Sequence, residues 1–303
     1  MKKVIGIDVG GTGVKGSVIT ETGEVLTSQR IATDVSKGRE GILSCIYSVI
    51  DRLLSADIVA IGIGSAGRIN VHTGEVVYAT ANLPGWQGVN LKQELEKSYQ
   101  LPVVVENDAN AALLGELWQG AVANDDTLTS VTMLTLGTGV GGANSLHKQI
   151  INGGHYQGGE WGHVIFIPNG RPCNCGMKGC LEQYLSGTAL VTMTNKATNR
   201  TYLHGKEIFE EYASGDLQLA PIIDTYIDHL ALAIYNVSIT FDPTAVIIGG
   251  GVIDSKEIWW QLLLDKLVNY HVHLQVFPAE LGNDAGMLGA AKLAFDHVKE
   301  GGN

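Results

Sequence analysis

The chain has 303 residues, and its 31 acidic and 20 basic side chains give a formal net charge of −11. This acidic balance disfavours a surface for nucleic-acid phosphates. No apolar run is long enough to span a bilayer, and the first residues, MKKVIGIDVGG, lack the apolar core of a signal peptide. We therefore expect a cytoplasmic protein without nucleic-acid or membrane partners. The length predicts two domains.

The first third of the chain alternates between strand and helix patterns. In chain order these are strand, glycine turn and strand at 3–20, a third strand at 24–33, a helix at 39–55, a buried strand at 57–67 and a helix at 90–99. Asn90 is the predicted cap of the last helix.

The segment VVVENDANAAL, residues 103–113, is an apolar strand that turns at once into an Ala-rich helix. Asn107 or Asp108 suits the cap of the helix predicted at 109–118. The same two residues also suit the working end of an enzyme, and one residue can cap while its neighbour reacts. Glu106, which precedes them, has no assigned chemical role and is expected to be structural.

The second part of the chain repeats the first. Residues 128–146 again indicate strand, glycine turn and strand, and a shift of 127 positions lays Gly137 on Gly10. The patterns that follow are helices at 183–199, 205–213 and 217–240, a strand and then a glycine turn at 244–254, and helices at 259–271 and 284–298. Strands joined by helical crossovers predict sheets covered by helices.

The first glycine turn, DVGGTGVKG, exposes backbone N–H groups at Gly10, Gly11 and Gly13 that are able to bind anionic oxygen. Asp8 would hold Mg²⁺ beside it. Thr12 adds a hydroxyl and Lys15 a positive charge. A plain hairpin turn explains the same residues equally well.

The second glycine turn, GTGVGG at 137–142, matches the dinucleotide fingerprint in form, but no helix follows it. A second phosphate-binding hairpin fits better. A third turn, Gly249-Gly250-Gly251, is a candidate for the adenosine moiety, although a tight connection between strand and helix explains it nearly as well.

Three of the four cysteines lie within eight residues. Cys173, Cys175 and Cys180 provide soft ligands that suit tetrahedral Zn²⁺, with His163 as the fourth. Such a closed set is structural, because it leaves no position for water. Free thiols are the less favoured alternative, and Cys45 is most simply a core residue.

A set of motifs recurs in order along the chain: Asp8-x-Gly10-Gly11-Thr12, Asn107-Asp108, Gly137-Thr138-Gly139-x-Gly141-Gly142, Glu160-x-x-His163 and Cys173-x-Cys175-Gly176-x-x-Gly179-Cys180-x-Glu182. Together they resemble the ROK family of repressors and sugar kinases, in the actin–hexokinase–chaperone superfamily. The resemblance runs from residue 4 to about residue 294.

The resemblance implies an α/β fold of two ribonuclease-H-like (actin-like ATPase) domains, with ATP and sugar meeting in a cleft between them. The expected N-terminal domain is 1–117, and the C-terminal helix, about 285–303, is a candidate to pack back on it. The expected C-terminal domain is 118–284, with a zinc knuckle at 163–182.

The implied reaction is ATP-dependent phosphorylation of a hexose at its 6-hydroxyl, with Asp108 as catalytic base. The sugar-binding residues that follow from the resemblance are Gly67, Arg68, Thr80, Asn107, Asp108, Glu160, His163 and Glu182. With the glycine turns above, the ATP and Mg²⁺ residues are Asp8, Gly10, Gly11, Thr12, Lys15, Gly137, Thr138, Gly139, Gly249, Gly250 and Gly251. The zinc ligands are His163, Cys173, Cys175 and Cys180.

Three functional classes remain to be weighed. A sugar kinase is favoured over a ROK regulator, since no DNA-reading module fits before residue 8, and over a sugar-binding protein with a dead site, because Asp108 is intact. Glucose ranks first as substrate. N-acetylmannosamine follows, since Arg68 and Thr80 resemble positions in its kinases, and β-glucoside, fructose and allose remain open. The resemblance also implies a homodimer.

Overall fold

A computed structural model describes residues 2–80 and 82–301 of the chain. Its strands are β1 (Lys3–Val9), β2 (Gly13–Thr20), β3 (Val25–Ala32), β4 (Ile58–Ser65), β5 (Arg68–Asn70), β6 (Glu75–Tyr78), β7 (Val103–Asn107), β8 (Ser130–Leu136), β9 (Val140–Leu146), β10 (Gln149–Ile150), β11 (Ala245–Gly249) and β12 (Gln275–Pro278). Its α-helices are α1 (Gly38–Leu53), α2 (Leu91–Tyr99), α3 (Asp108–Gln119), α4 (Glu182–Leu185), α5 (Gly187–Thr198), α6 (Gly205–Ala213), α7 (Ala220–Thr240), α8 (Lys256–Asn269) and α9 (Ala285–Glu300).

The chain forms two compact units. Unit 1 comprises residues 1–125, 150–158 and 283–303, and unit 2 comprises residues 126–149 and 159–282. The segment 150–158 is notable because the chain on both sides of it belongs to unit 2, and nothing in the sequence pattern separates it from its neighbours.

The sheet of unit 1 has the strand order β3-β2-β1-β4-β7. The β1–β2 and β2–β3 pairs are antiparallel, whereas β1–β4 and β4–β7 are parallel. The β-branched runs of β1 and β4 are buried on both faces, as expected for strands covered by helices. This arrangement carries the β1–β2 turn and the end of β7, where the predicted residues Gly10, Gly11 and Thr12 and the pair Asn107-Asp108 lie.

Helix α9 packs unusually close to the sheet of unit 1 because glycines remove the side chains between them. A Cβ on Gly62 of β4 would lie 1.8 Å from the carbonyl oxygen of Ala290, and a Cβ on Gly289 would lie 1.6 Å from that of Ala111 in α3. The last helix of the chain is therefore built into the unit that the first residues begin.

The sheet of unit 2 repeats that of unit 1, with the strand order β10-β9-β8-β11-β12. The β8–β9 pair is antiparallel and the β8–β11 and β11–β12 pairs are parallel. The internal repeat predicted from the glycine turns is thus confirmed at the level of strand order. Its core includes the fully buried Tyr226 and Trp259, so Trp259 is a core residue.

Most predicted elements are confirmed within a few residues, but one is wrong. The helix predicted at 183–199 is two helices, α4 and α5, because Ser186 has an extended backbone and its side chain accepts from the N–H of Ala189 to cap α5. Among residues 2–80 and 82–301, no helix combines the length and hydrophobicity needed to cross a membrane.

Candidate active site

The β1–β2 turn of unit 1 leaves open space above its backbone. The N–H of Gly10 donates to the carbonyl of Gly13 at 3.0 Å, and the hydroxyl of Thr33 donates to the carbonyl of Gly10 at 2.8 Å. No atom lies within 4 Å of the position that a Cβ on Gly11 would take, and its φ is not positive. Since neither packing nor conformation requires glycine there, the space is available to a ligand.

Asp8 lies at the end of β1, beside this turn. Its Oδ2 is 3.5 Å from Nζ of Lys15, which also donates to Oδ1 of Asn283 at 3.5 Å. A Cβ on Gly286 would lie 3.2 Å from Cγ of Asp8, so the first turn of α9 reaches this carboxylate. Burial raises the pKa of Asp8, and Lys15 opposes that shift. A carboxylate beside an open anion-binding turn suits Mg²⁺.

The junction between β7 and α3 answers whether Asn107 is a helix cap. Its Oδ1 accepts from the N–H of Ala109 at 2.9 Å and from the N–H of Asn110 at 3.1 Å, so it caps α3. Its Nδ2 donates to the carbonyl of Gly67 and to Oδ1 of Asp108, both at 2.9 Å. The cap residue therefore also holds the carboxylate that follows it.

Asp108 is the first residue of α3 and is half-buried. Its Oδ1 accepts from Nδ2 of Asn107 and from the N–H of Ala109. These two donors fix the carboxylate at the positive end of the helix dipole. A carboxylate held in this way keeps its orientation when a hydroxyl group approaches.

The other predicted sugar-side residues of unit 1 lie on and around the β5–β6 hairpin. Gly67 has a φ of 102°, which favours glycine, and its carbonyl is the acceptor for Asn107. The guanidinium of Arg68 lies 4.6 Å from the centre of the Tyr78 ring. Thr80 is half-buried. Of this group, the structure brings Gly67 into direct contact with the β7–α3 junction.

The β8–β9 turn of unit 2 resembles the β1–β2 turn. The N–H of Gly137 donates to the carbonyl of Gly139 at 3.0 Å, and no atom lies within 4 Å of a Cβ built on Gly137. At Gly139, in contrast, a Cβ would lie 2.3 Å from Oε2 of Glu182. The same Oε2 accepts from the N–H of Val140 at 3.1 Å. Glu182 is thereby fixed against the turn.

A cavity of about 490 Å³ opens beside this turn, wholly within unit 2. It is bordered by the first residues of α5 and α6, whose N–H groups carry partial positive charge. Leu203, which is 77% exposed, borders it as well. The lining residues are Leu136, Gly137, Thr138, Gly187, Thr188, Val191, Leu203, His204, Gly205, Lys206, Phe209, Gly251, Val252 and Ser255. An apolar wall with a few polar groups suits a nucleoside.

The three glycines of the 249–251 turn have different surroundings. Gly251 lines the cavity, and nothing lies within 4 Å of its Cβ position. Gly250 has a φ of 81° and would place a Cβ 2.6 Å from the backbone of Leu136, so the fold itself requires it. A Cβ on Gly249 would lie 2.7 Å from the Met133 side chain. The cavity lining includes neither Gly249 nor Gly250.

The predicted zinc ligands lie together in unit 2. The ligand atoms of His163, Cys173, Cys175 and Cys180 are all within 4.8 Å of one another. Sγ of Cys175 is 3.6 Å from Sγ of Cys180, close to the separation of about 3.8 Å between sulfurs of a tetrahedral zinc site. Burial and the neighbouring thiols raise the pKa of Cys180 to about 12. A bound cation would take the place of the proton that Cys180 holds.

The two nitrogens of His163 face different groups. Nδ1 is 3.8 Å from Sγ of Cys173, on the side of the thiols, whereas Nε2 is 4.0 Å from Oε2 of Glu160. Oε1 of Glu182 is 3.9 Å from Sγ of Cys173. One ring can therefore contact a metal ion and present its other nitrogen to a polar ligand, as the double assignment of His163 requires.

Sequence reasoning missed most of the cavity. The start of α6 gave no recognisable motif, whereas Ser186-Gly187-Thr188 is a helix-start signal that the pattern of a single long helix concealed. Sequence reasoning also identified no partner for Glu106. In the structure Oε1 of Glu106 accepts from the N–H of Asn107, and Oε2 accepts from Nδ2 of Asn152.

Comparison with known proteins places this chain in a family. The model of the ROK family matches residues 4–297, and the chain belongs to that family. It is 34% identical to a glucokinase of Thermotoga maritima, over 98% of each chain. A ROK family glucokinase from Streptomyces griseus, in complex with glucose and AMPPNP, has 32% identity and a TM-score of 0.83, covering 97% of this chain and 99% of that one. A β-glucoside kinase of Klebsiella pneumoniae is 31% identical, over 95% and 94% of the two chains.

These matches confirm the predicted family. They also confirm the α/β fold class, because the two repeated sheets correspond to those of ROK kinases.

Proposed function

We propose that this protein transfers the γ-phosphoryl group of ATP to the 6-hydroxyl of a hexose, with glucose as the first candidate. The observation that carries the proposal is Asp108, a carboxylate held by Asn107 and by the start of α3. Its support is the similarity to glucokinases over nearly the whole chain.

In the proposed reaction, the sugar oxygen forms a bond to the γ-phosphorus while the bond between that phosphorus and the β-phosphate oxygen breaks. The hydroxyl proton passes to Asp108, and ADP leaves. Such a transfer depends mainly on positioning and charge stabilisation, with little covalent chemistry from the protein. The two hydrogen bonds on Oδ1 of Asp108 provide the positioning of the base.

The nucleotide is proposed to bind in unit 2, with its base in the cavity and its phosphates at Gly137 and Thr138. Gly10, Gly11 and Thr12 of unit 1 are proposed phosphate ligands, with Lys15 supplying charge. Asp8 would hold Mg²⁺, which screens the phosphate charge when bound. The empty space at Gly11, Gly137 and Gly251 supports this assignment, because the chain itself has no need of glycine there. Gly139, Gly249 and Gly250 are better explained by the packing of the chain.

Zinc is proposed as a structural ion held by His163, Cys173, Cys175 and Cys180, whose donor set and spacing fit it. Bound zinc would fix Nδ1 of His163 and leave Nε2 towards Glu160. Glu160, His163 and Glu182 are proposed sugar ligands of unit 2, and Gly67, Arg68, Thr80 and Asn107 of unit 1.

Glucose is proposed as the first candidate because two glucokinases are 33% and 34% identical to this chain, against 31% for the β-glucoside kinase. A β-glucoside substrate is the second candidate, supported by the similarity to the Klebsiella pneumoniae enzyme. We also propose a homodimer, as the family resemblance implies, and a cytoplasmic location, since clustered thiols that serve a metal suit a reducing compartment.

Replacement of Asp108 by Asn tests the proposal. Asp108→Asn keeps the size of the side chain and removes its ability to accept a proton, so kcat should fall about 10²- to 10⁴-fold. A coupled assay for ADP over glucose, N-acetylmannosamine, fructose, allose and cellobiose measures it and identifies the sugar. Calorimetric titration should find that the variant still binds glucose and ATP. A wild-type enzyme that consumes ATP with none of these sugars would overturn the proposed function.

A further inference from the structure

Glu106 is a buried carboxylate that the proposed reaction does not use. Only 4% of its surface is exposed. Two of its hydrogen-bond donors belong to the adjacent β7–α3 junction, the backbone of Asn107 at 2.8 Å and Nδ2 of Asn110 at 3.0 Å, and the third, Nδ2 of Asn152 at 2.8 Å, comes from a distant stretch of unit 1. None of these donors carries a charge. A buried carboxylate whose three donors are all neutral is costly to the fold, so stability alone does not explain it.

Asn152 belongs to the 150–158 segment, the short stretch that joins unit 1 between two parts of unit 2. Within the segment, the N–H of Gly158 donates to the carbonyl of Asn152 at 2.8 Å, which closes it into a compact loop. The ring of Tyr156 meets the edge of His72, with the ring centres 6.5 Å apart. The Asn152 side chain thus ties a closed loop to the end of β7.

Tyr156 gives a second reason to regard this segment as functional. Its φ is 57°, in the left-handed region that a side chain of this size rarely adopts. Strained residues persist where the surrounding structure holds them, and they are concentrated at ligand sites. The segment lies against the strand end that carries Asp108, and Glu160 follows it by two residues in the chain.

We propose that Glu106 is a positioning residue for sugar binding. Its carboxylate holds the 150–158 segment, through Asn152, at a fixed position relative to the junction that carries Asn107 and Asp108. This inference rests on the proposed function. The nucleotide cavity is built from other elements, all in unit 2, so loss of this hydrogen bond weakens the binding of sugar and leaves the binding of ATP unchanged.

The test first breaks the Glu106–Asn152 hydrogen bond and then restores it with donor and acceptor swapped, in the full-length, metal-loaded enzyme. Asn152→Asp places two carboxylates against each other and should raise KM for glucose about 10-fold or more, with KM for ATP unchanged. In the double variant Glu106→Gln, Asn152→Asp, the amide of residue 106 donates to the new carboxylate. Its KM for glucose should return to within about twofold of the wild-type value.

Hydrogen exchange without any substrate gives a second readout. Amides of residues 150–158 should exchange faster in Asn152→Asp and recover protection in the double variant. The matched control is Glu116→Gln, which neutralises a different buried carboxylate, on α3. Glu116 accepts from the N–H of Ala121 at 2.8 Å, and its replacement should leave KM for glucose unchanged.

The outcomes separate the two proposals. If wild-type enzyme phosphorylates glucose but Asn152→Asp keeps its KM for glucose, or raises KM for ATP equally, the positioning role of Glu106 is wrong and the proposed function stands. A double variant no better than Asn152→Asp also overturns the positioning role. If wild-type enzyme phosphorylates no sugar, the proposed function fails and the role of Glu106 in sugar binding fails with it.

Discussion

The side chain of Asn107 uses all of its hydrogen-bonding groups within unit 1. Both acceptor positions of Oδ1 are taken by N–H groups of α3, and both hydrogens of Nδ2 are donated, to Gly67 and Asp108. A sugar hydroxyl that binds here must share one of these contacts. Asn107 therefore fixes the position of Asp108 as well as capping α3.

Asn107→Asp separates capping from positioning. The new carboxylate can still accept from the N–H groups of Ala109 and Asn110, because Asp caps helices as well as Asn. Its second oxygen, however, would face the carbonyl of Gly67 and Oδ1 of Asp108 with no proton to donate. We expect kcat to fall about 10-fold or more, and the melting temperature to fall as well because two hydrogen bonds are lost, while the cap of α3 is retained.

The matched control for this prediction is Asn90→Asp. Asn90 caps α2 by accepting from the N–H of Gln93 at 2.9 Å, so Asp replaces it without cost, and kcat should not change. Steady-state kinetics and circular dichroism on the two variants decide the matter. Equal kcat for both variants would show that the position of Asp108 does not depend on the Asn107 amide.

The sequence predicted those features that depend on residues close together in the chain. The cap at Asn90 and the strand–turn–strand hairpins follow from residues that are neighbours in the chain. The Glu106–Asn152 bond joins positions 46 residues apart, and no local pattern indicates which buried carboxylate finds which amide. The division at Ser186 has a local signal, because Ser before Gly-Thr is a cap signal, but the helical spacing on both sides of it favours one continuous helix.

The starts of two helices shape the cavity that is proposed to bind the nucleotide. Helices α5 and α6 both begin at its border, with Gly187 and Gly205 among the lining residues. Two helix N-termini and an open glycine turn offer N–H groups to anionic oxygen, while Val191 and Phe209 supply apolar surface. The proposed recognition of ATP here would thus depend on where these elements begin, which a single glycine motif does not reveal.

Val191→Trp tests this assignment. Val191 lines the cavity from α5, and an indole there would occupy space that the nucleoside needs. We expect KM for ATP to rise on the order of 10-fold or more, with KM for glucose nearly unchanged. Binding of a fluorescent ATP analogue measures the same loss without the sugar.

Ala197→Trp, on the exposed side of the same helix, is the control for the bulk of tryptophan. It should bind ATP as the wild type does. If both variants bind ATP normally, the base lies elsewhere.

Neither unit is formed from one continuous stretch of the chain. Unit 1 needs three separate stretches, including the last helix of the chain, and unit 2 needs two. The glycines that face α9 from β4 and α3 allow the backbone of that helix to lie against them, because a Cβ at these positions would clash with it. Unit 1 therefore cannot be complete until the last helix has been synthesised, although its first strands are made at the outset.

Removal of residues 283–303 should consequently unfold unit 1 and abolish activity. Helix α9 buries Met287, Leu288 and Phe295, and these three side chains contribute about 5–9 kcal/mol, comparable with the whole stability of a typical domain, about 5–15 kcal/mol. Limited proteolysis with mass spectrometry should find cleavage throughout residues 2–125, while fragments from 159–282 persist. Removal of 301–303 alone, the control, should preserve both the resistance to protease and the activity. A chain ending at Gly282 that resists protease across its first 125 residues would show that unit 1 folds without α9, which contradicts the packing of that helix against Gly62.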